Sequence, residues 1–388
     1  MIMMDQIRND SLPNHSVFKR LHKKGVLCSE MISYAPYTTA SLHAVLTGIY
    51  GSRNGMNSYY GATQFKKDEC YTMAQYLQDR KYYTQADIVS NIFIPHQGFD
   101  AVLTYDENNV DLISRHKEML RDLQASHKKF FAFLDCGIVH REMIKNVSQK
   151  YITTDQTYFG YIERNLAKYE SYVQKACVYL DCLFDFLEES GLMRQALIIV
   201  FTDHGVGVGE KPGEKTYGVY TYDYTIKTWA YFIYPSLLPA GSEVAVLTRN
   251  VDILPTLMEI LRIKPSSRHL PMDGESILAL LRGKKQEPRS AFSETGGLEG
   301  PHPSPYAPNV KCIRTKEWKL IYNIQTQRKE LYNIKDDPIE ANNLVGVHLD
   351  IEEELWKRLQ PYLNNSVSSS ENEILIKEYQ ALGYLPSE

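Results

Sequence analysis

The run Ala196 to Phe201, Ala-Leu-Ile-Ile-Val-Phe, constrains this chain more than any other segment. It is short, apolar on both sides and β-branched in its centre, the pattern of a parallel strand buried on both faces. Such a strand needs helices above and below it, and the rest of the chain supplies them. A strand-like run, Ile2 to Met4, precedes helical spacing from Val17 to Lys24, which Gly25 stops. Helical spacing returns at Met73 to Arg80 and at Leu112 to Lys128, followed by the strand-like Phe130 to Leu134. A long amphipathic helix over about Asn165 to Glu189 closes at Gly191, and a strand, Trp229 to Tyr234, and a helix, Asp252 to Leu261, come after the central run. The alternation predicts an α/β fold with a central, largely parallel sheet flanked by helices over residues 1–289. Beyond the Pro- and Gly-rich stretch Gly296 to Pro308 the pattern changes to short strands, Val310 to Arg314, Trp318 to Tyr322 and Glu330 to Ile334, with a helix around Ile351 to Leu359. Residues 290–388 therefore read as a small antiparallel subdomain with a capping helix.

Composition narrows the functions available. The 388 residues carry a formal net charge of -4, with 43% hydrophobic and 23% charged side chains, so the chain is an ordinary globular one without the basic stripe of a nucleic-acid binder. Six cysteines without CxxC spacing argue against zinc ribbons and redox pairs and for buried, reduced thiols. No apolar run approaches the ~18 residues of a membrane span, and no signal-peptide pattern opens the sequence. The expected setting is cytoplasmic, without integral membrane contact. A strand so near residue 1 leaves room for an upstream segment missing from the sequence.

In open α/β sheets ligands gather beyond the carboxyl ends of strands. Asp5 follows the first strand-like run; Asp203 and His204 follow the central one. By themselves these residues are also what a capping pair and a surface imidazole look like. What sharpens them is the segment Tyr34 to Gly48, where the hydroxyl-rich Thr38, Thr39, Ala40 and Ser41 lead into the apolar Leu42, Val45 and Leu46. A helix starting there offers free N–H groups and its positive dipole end to an anion. Carboxylates and a neutral imidazole suit one divalent cation, which lowers the pKa of a coordinated hydroxyl.

The stretch Thr38-Thr39-Ala40-Ser41-Leu42-His43-Ala44-Val45-Leu46-Thr47-Gly48 resembles the sulfatase signature C-x-P-S-R-x-x-L-L-T-G, with Ser41, Leu46, Thr47 and Gly48 fixing the register. Gly98-Phe99-Asp100, Val251 to Thr256 (VDILPT), Trp318-Lys319-Leu320, Glu330-Leu331-Tyr332 and Asp337-Pro338 with Glu340, Asn343 and Leu344 follow further patterns of that family in order. The chain thus resembles the alkaline phosphatase and sulfatase superfamily along nearly its whole length, in a branch with a threonine nucleophile. The resemblance implies an alkaline-phosphatase-like fold and one metal ion held by Asp5, Asp203, His204 and the Thr38 hydroxyl. Manganese, zinc or magnesium suits that mixed donor set better than calcium. The resemblance also implies Thr38 as nucleophile and His140 as the histidine holding the transferred group. Lys215 or Tyr217 lies near the position where many relatives place another His or Lys, and Arg53 is a further candidate to contact the substrate anion.

The departures are chemical. Threonine cannot become formylglycine, Ala40 and Leu42 replace the signature Pro and Arg, Gln6 stands where a second acidic ligand is common, and Asn54 replaces a common His. A threonine alkoxide suits in-line attack on phosphorus, giving a phosphothreonine opened by water or an acceptor alcohol. The residues alone therefore favour hydrolysis of a phosphomonoester, phosphodiester or phosphonate ester. The alternatives are a sulfatase without formylglycine and a transferase acting on a carbohydrate or lipid acceptor; a degenerate binding module fits less well, since all four metal-site positions survive. The expected partner is a small anionic ester, carbohydrate-linked in one reading, and homo-oligomer formation is left open. Tyr34, Tyr37, Tyr59 and Tyr60 are candidates to shape the pocket. His96 and His302 read more readily as structural groups, while Arg8, like Arg53, could equally meet an anion or make an ordinary ion pair. Loops Asp106 to Asp111, Lys145 to Tyr161 and Glu299 to Pro308 are where selectivity is expected.

Overall fold

The computed structural model describes residues 1–57, 65–148, 160–211, 218, 220–285, 287–295 and 310–363. Two sheets organise them. The large one contains β1 (Ile2–Met4), β2 (Val26–Ile32), β3 (Tyr83–Ile88), β4 (Ala101–Thr104), β5 (Phe130–Cys136), β6 (Ile198–Phe201), β7 (Lys227–Ile233), β8 (Ser242–Val244) and β9 (Thr248–Arg249). Its order is β4-β3-β5-β1-β6-β7-β2-β8, with β9 also on β2. The expected mostly parallel α/β sheet is present. β7 is the exception, running antiparallel to both β6 and β2. Trp229, fully buried on β7, donates from its indole Nε1 to the Ile7 carbonyl at 2.9 Å, tying this reversed strand to the loop after β1.

The two most apolar strands lie side by side. β1 sits between β5 and β6, parallel to both, with Ile2 opposite Val200 and Met3 opposite Phe201. Every residue of β1 and β6 is buried, as expected for strands covered on both faces. This register brings their carboxyl ends to one level, so Asp5 and Asp203 emerge together. The helix Ile162–Glu189 covers one face with Tyr172, Val173, Ala176, Leu180 and Leu183 buried at helical spacing. Although 28 residues long, it is amphipathic, and no described helix is both long and apolar enough to cross a membrane.

The second sheet is antiparallel in the order β10 (Ala291–Thr295), β11 (Val310–Arg314), β12 (Trp318–Asn323) and β13 (Arg328–Asn333), with the helix Leu349–Leu363 against it. This is the small C-terminal antiparallel element read from the sequence, extended by β10. Its apolar side forms one buried cluster, Phe292, Ile313, Leu320, Leu331, Leu355 and Leu359, with Tyr34, Tyr37, Ala40 and Ala44 of the large unit. A buried ionic group adds a polar tie: Asp223 accepts from Lys319 Nζ at 2.8 Å and Arg314 Nη2 at 3.0 Å, and Lys319 also meets Glu340 at 2.8 Å. The six cysteines are all free thiols, and all but Cys182 are fully buried.

Leu320 is completely buried in the shared cluster. Leu320→Ala should destabilise the protein by about 3 kcal/mol through lost burial and the cavity left behind. The expected observation is a lower urea midpoint with an unchanged slope; an unchanged midpoint would show that the cluster is not a cooperative part of the fold.

Candidate metal centre and nucleophile

Asp5, Asp203 and His204 form a cluster whose candidate ligand atoms all lie within 4.8 Å of one another. They are 2%, 0% and 0% exposed. His204 Nδ1 is 2.7 Å from the Gly205 carbonyl, and a carbonyl only accepts, so Nδ1 carries the proton. Burial lowers the proton affinity of this ring, leaving Nε2 as an acceptor in the neutral form. That nitrogen faces Asp5 Oδ1 and Asp203 Oδ2, each at 3.6 Å. Acceptors facing acceptors repel one another unless a cation lies between them.

Other orphaned atoms reinforce this. Asp5 Oδ1 and both Asp203 carboxylate oxygens are buried with no hydrogen-bond partner among the described residues. Burial, then the charges of Asp203, Asp135 and Glu107, push the Asp5 carboxyl well above the usual carboxylate range. Unsatisfied buried charges of one sign are what a divalent cation relieves, so the donor set fits one. Beside them Gln6 adopts a left-handed backbone at φ 61°, and neither atom of its buried side-chain amide is hydrogen-bonded. Its carbonyl accepts from Tyr169 Oη at 2.8 Å, which holds this turn in place.

Thr38 completes the group. It is the first residue of the helix Thr38–Thr47, and the capping position belongs to Tyr37, so Thr38 is not a helix cap. Its Oγ1 lies 3.2 Å from His204 Nε2, to which the hydroxyl donates given the ring tautomer. Thr38 opens the first helical turn, whose N–H groups have no partner within the helix. Ser41, one turn along, occupies the serine position of the signature. Its Oγ donates to the Asp203 carbonyl at 2.8 Å and accepts from Asn250 Nδ2 at 3.0 Å, fastening the threonine helix to the end of β6. Gly205 makes the adjoining turn possible: its N–H donates to the Thr225 carbonyl at 2.7 Å, and a Cβ there would lie 2.1 Å from the Tyr224 carbonyl oxygen.

His140 follows β5 on the helix Ile138–Met143, fully buried, and its Nδ1 donates to Glu107 Oε2 at 2.9 Å. It stands close enough to His204 to lower that ring's proton affinity further. Arg53 is engaged elsewhere, paired with Asp273 at 2.6 Å, and Arg8 is bound by Asp10 at 2.7 Å and by Glu210. His96 bonds its own loop at the Asn91 carbonyl, 2.7 Å away. Tyr34 and Tyr37 are buried beneath the helix start and belong to the packing of the second sheet. Lys215, Tyr217, Tyr59, Tyr60, His302 and the loop Glu299 to Pro308 lie outside the described residues.

Two nearby carboxylates were not singled out from the sequence. Asp135 directly follows the apolar run Phe130 to Leu134, so the rule that selects Asp5 and Asp203 also selects it. Its Oδ2 accepts from the Val89 N–H at 3.1 Å, but burial and the charges of Asp203, Glu107 and Asp87 still push its proton affinity well up. Glu107 sits inside a loop expected to set selectivity and has no local sequence signal.

The sulfatase family model matches residues 4–263. The chain belongs to the sulfatase family. A second model, N-sulphoglucosamine sulphohydrolase, C-terminal, matches residues 217–365. An N-acetylglucosamine-6-O-sulfatase of Bacteroides thetaiotaomicron is 28% identical over 174 residues, 42% of this chain and 29% of that protein. The chain spans less than half the length of the curated relatives it matches. Among solved structures, one in complex with its substrate D-glucosamine-2-N,6-O-disulfate aligns with TM-score 0.72 at 16% identity, covering 94% of this chain and 97% of the other. The phosphonate monoester hydrolase of Agrobacterium radiobacter aligns with TM-score 0.73 at 14% identity, covering 95% and 99%. At such identities the likeness establishes the fold, that of the alkaline phosphatase and sulfatase superfamily.

Two outcomes follow from these environments. Manganese or zinc at 100 times its dissociation constant should stabilise the protein by about 2.7 kcal/mol in a thermal-shift titration. Asp203→Asn should abolish that response while leaving the metal-free protein as stable or more so, since it removes a charge repelling Asp5; a full metal response in the variant would refute the site. The second concerns His43, buried on the threonine helix with Nδ1 donating to the Thr39 carbonyl at 2.8 Å and its pKa lowered by burial to about 4. Because the unfolded value is near 6.5, this ring contributes stability that is full above pH 6.5 and is lost as pH falls toward 4, up to about 3 kcal/mol. His43→Gln should flatten the pH dependence of the urea midpoint over that interval, and an unchanged slope would show that the ring does not resist protonation.

Proposed function

We propose that this chain is a metal-dependent hydrolase of an anionic ester, with a sulfate ester on a carbohydrate as its substrate class and Thr38 as the group that attacks or positions the ester. The observation carrying this reading is the Thr38 hydroxyl at a helix start, 3.2 Å from a proton-free His204 nitrogen and beside two unneutralised buried carboxylates. Family membership and the N-acetylglucosamine-6-O-sulfatase relative support the sulfate ester and the sugar. The preference for phosphorus drawn from the residues alone loses ground accordingly, since the phosphonate monoester hydrolase is a relative by fold only.

Asp5, Asp203 and His204, with the Thr38 hydroxyl, would hold the cation. When bound, a divalent ion supplies charge neutralisation, a lower proton affinity for the threonine hydroxyl and attraction for a non-bridging ester oxygen. The protein's own groups do the rest. N–H groups of the first helical turn stabilise charge on the oxyanion. His140 donates through Nδ1 to Glu107, and a second proton carried on Nε2 would pass to the leaving oxygen as it departs, returning the ring to its Nδ1-protonated neutral form.

A second reading, a phosphate or phosphonate ester, is favoured by one feature. An ester formed on threonine has no aldehyde hydrate to collapse, so a sulfothreonine must be opened by water at sulfur, whereas a phosphothreonine opens by ordinary in-line displacement.

Metal-loaded protein assayed on aryl sulfate, aryl phosphate, phosphodiester and phosphonate monoester separates the two. Turnover of the sulfate ester is expected; turnover confined to phosphorus esters would transfer the assignment to the second reading. Thr38→Ala should lower kcat roughly 10³-fold or more with an unchanged circular dichroism spectrum, and retained activity would end the role given to Thr38.

A further inference from the structure

We propose that Glu107 is a positioning residue that fixes the tautomer and orientation of His140; the proposal rests on the role given to His140 above. Glu107 Oε2 accepts the His140 Nδ1 proton at 2.9 Å, and the residues are 9% and 0% exposed. Anchoring the proton on Nδ1 makes Nε2 the nitrogen that gains and loses a proton, the arrangement a histidine needs to act at one defined atom.

Three elements converge to build this contact. Arg141, next to His140 on the same helix, donates from Nη1 to the Glu107 carbonyl at 3.1 Å, so the helix grips the loop through both main chain and side chain. Tyr105, two residues before Glu107, donates to the Asp135 carbonyl at 2.8 Å and accepts the Gly137 N–H at 3.2 Å, pinning the loop to the end of β5. At Gly137 a Cβ would stand 2.9 Å from Val89 Cγ2 and 3.3 Å from Glu107 Oε2, so a bare glycine gives the carboxylate its room. A surface ion pair would not require such fitting.

Glu107 also lines a cavity of about 170 Å³ shared with Tyr105, Asp111, Ile138 and Arg141. The carboxylate therefore stands between a fully buried imidazole and a space large enough for water.

The test is a double-mutant cycle on the metal-loaded enzyme, with the aryl ester it turns over fastest, joined to a ring-nitrogen NMR measurement. Glu107→Gln should lower kcat roughly 10- to 100-fold with KM changed by less than about twofold. The same substitution in a His140→Ala background should cost less than about twofold, because Glu107 acts through that ring. Imidazole ¹⁵N shifts should place the His140 proton on Nδ1 in the parent and distribute it over both nitrogens in Glu107→Ala. Glu107→Asp, which keeps the charge but retracts it, should recover part of kcat and guards against a folding defect in the other variants. Equal losses with and without His140, or an unshifted tautomer in Glu107→Ala, would overturn the proposal. If the parent turned over no ester, the functional reading would fail on its own, and the ring-nitrogen spectrum would still decide whether Glu107 holds the tautomer.

Discussion

Like charge brought together in a dry place is the constraint on which this structure turns. Neighbouring parallel strands β1 and β6 deliver Asp5 and Asp203 to one point, where one Asp5 oxygen and both Asp203 oxygens are buried without a hydrogen-bond partner among the described residues. His204 adds a third acceptor because the Gly205 carbonyl has claimed its proton. Among the described residues neither candidate arginine offsets this: Arg8 is already bound by Asp10 and Glu210, and Arg53 by Asp273. Gln6, by replacing an acidic side chain with a neutral amide, reduces the negative charge gathered there. The balance suits a divalent cation.

Around that point the fold is fastened by side chains whose work is mechanical. Ser41 links the threonine helix to the carbonyl of Asp203, and Asn250 braces Ser41 from the other side. Gly205 lets the loop after His204 press against the backbone at Tyr224. These groups do no chemistry, yet they set the 3.2 Å between Thr38 and His204.

Much of this was legible in the sequence because it depends on contiguous patterns. Strands β1, β5 and β6 are written as apolar runs, the helix Thr38–Thr47 as a motif with a glycine stop, and the metal cluster as polar residues ending those runs. What escaped is written in mixed polarity. β3, Tyr-Thr-Gln-Ala-Asp-Ile, lies between β4 and β5 yet spends its polar residues on specific partners: Asp87 is held by Arg115 at 2.6 Å and Thr84 bonds Asp100 at 2.9 Å. β10 buries Ser293, Glu294 and Thr295, with Glu294 paired to Lys311 at 2.9 Å. Polar side chains satisfied by distant partners carry no local periodicity. Glu107 is the same case inside the site. Its meaning depends on His140, 33 residues away, and on a glycine that leaves it space.

The shared apolar cluster joining Phe292, Leu320 and Leu359 to Tyr37, Ala40 and Ala44 has a consequence for how such a protein changes over time. The second sheet supports the bed on which the threonine helix rests. Any drift in its packing is felt at Thr38, and any change in the helix must find a matching surface across the seam. The two units are therefore bound to vary in concert, and a tail borrowed from a distant cousin would bring a misfit into the centre of the chemistry.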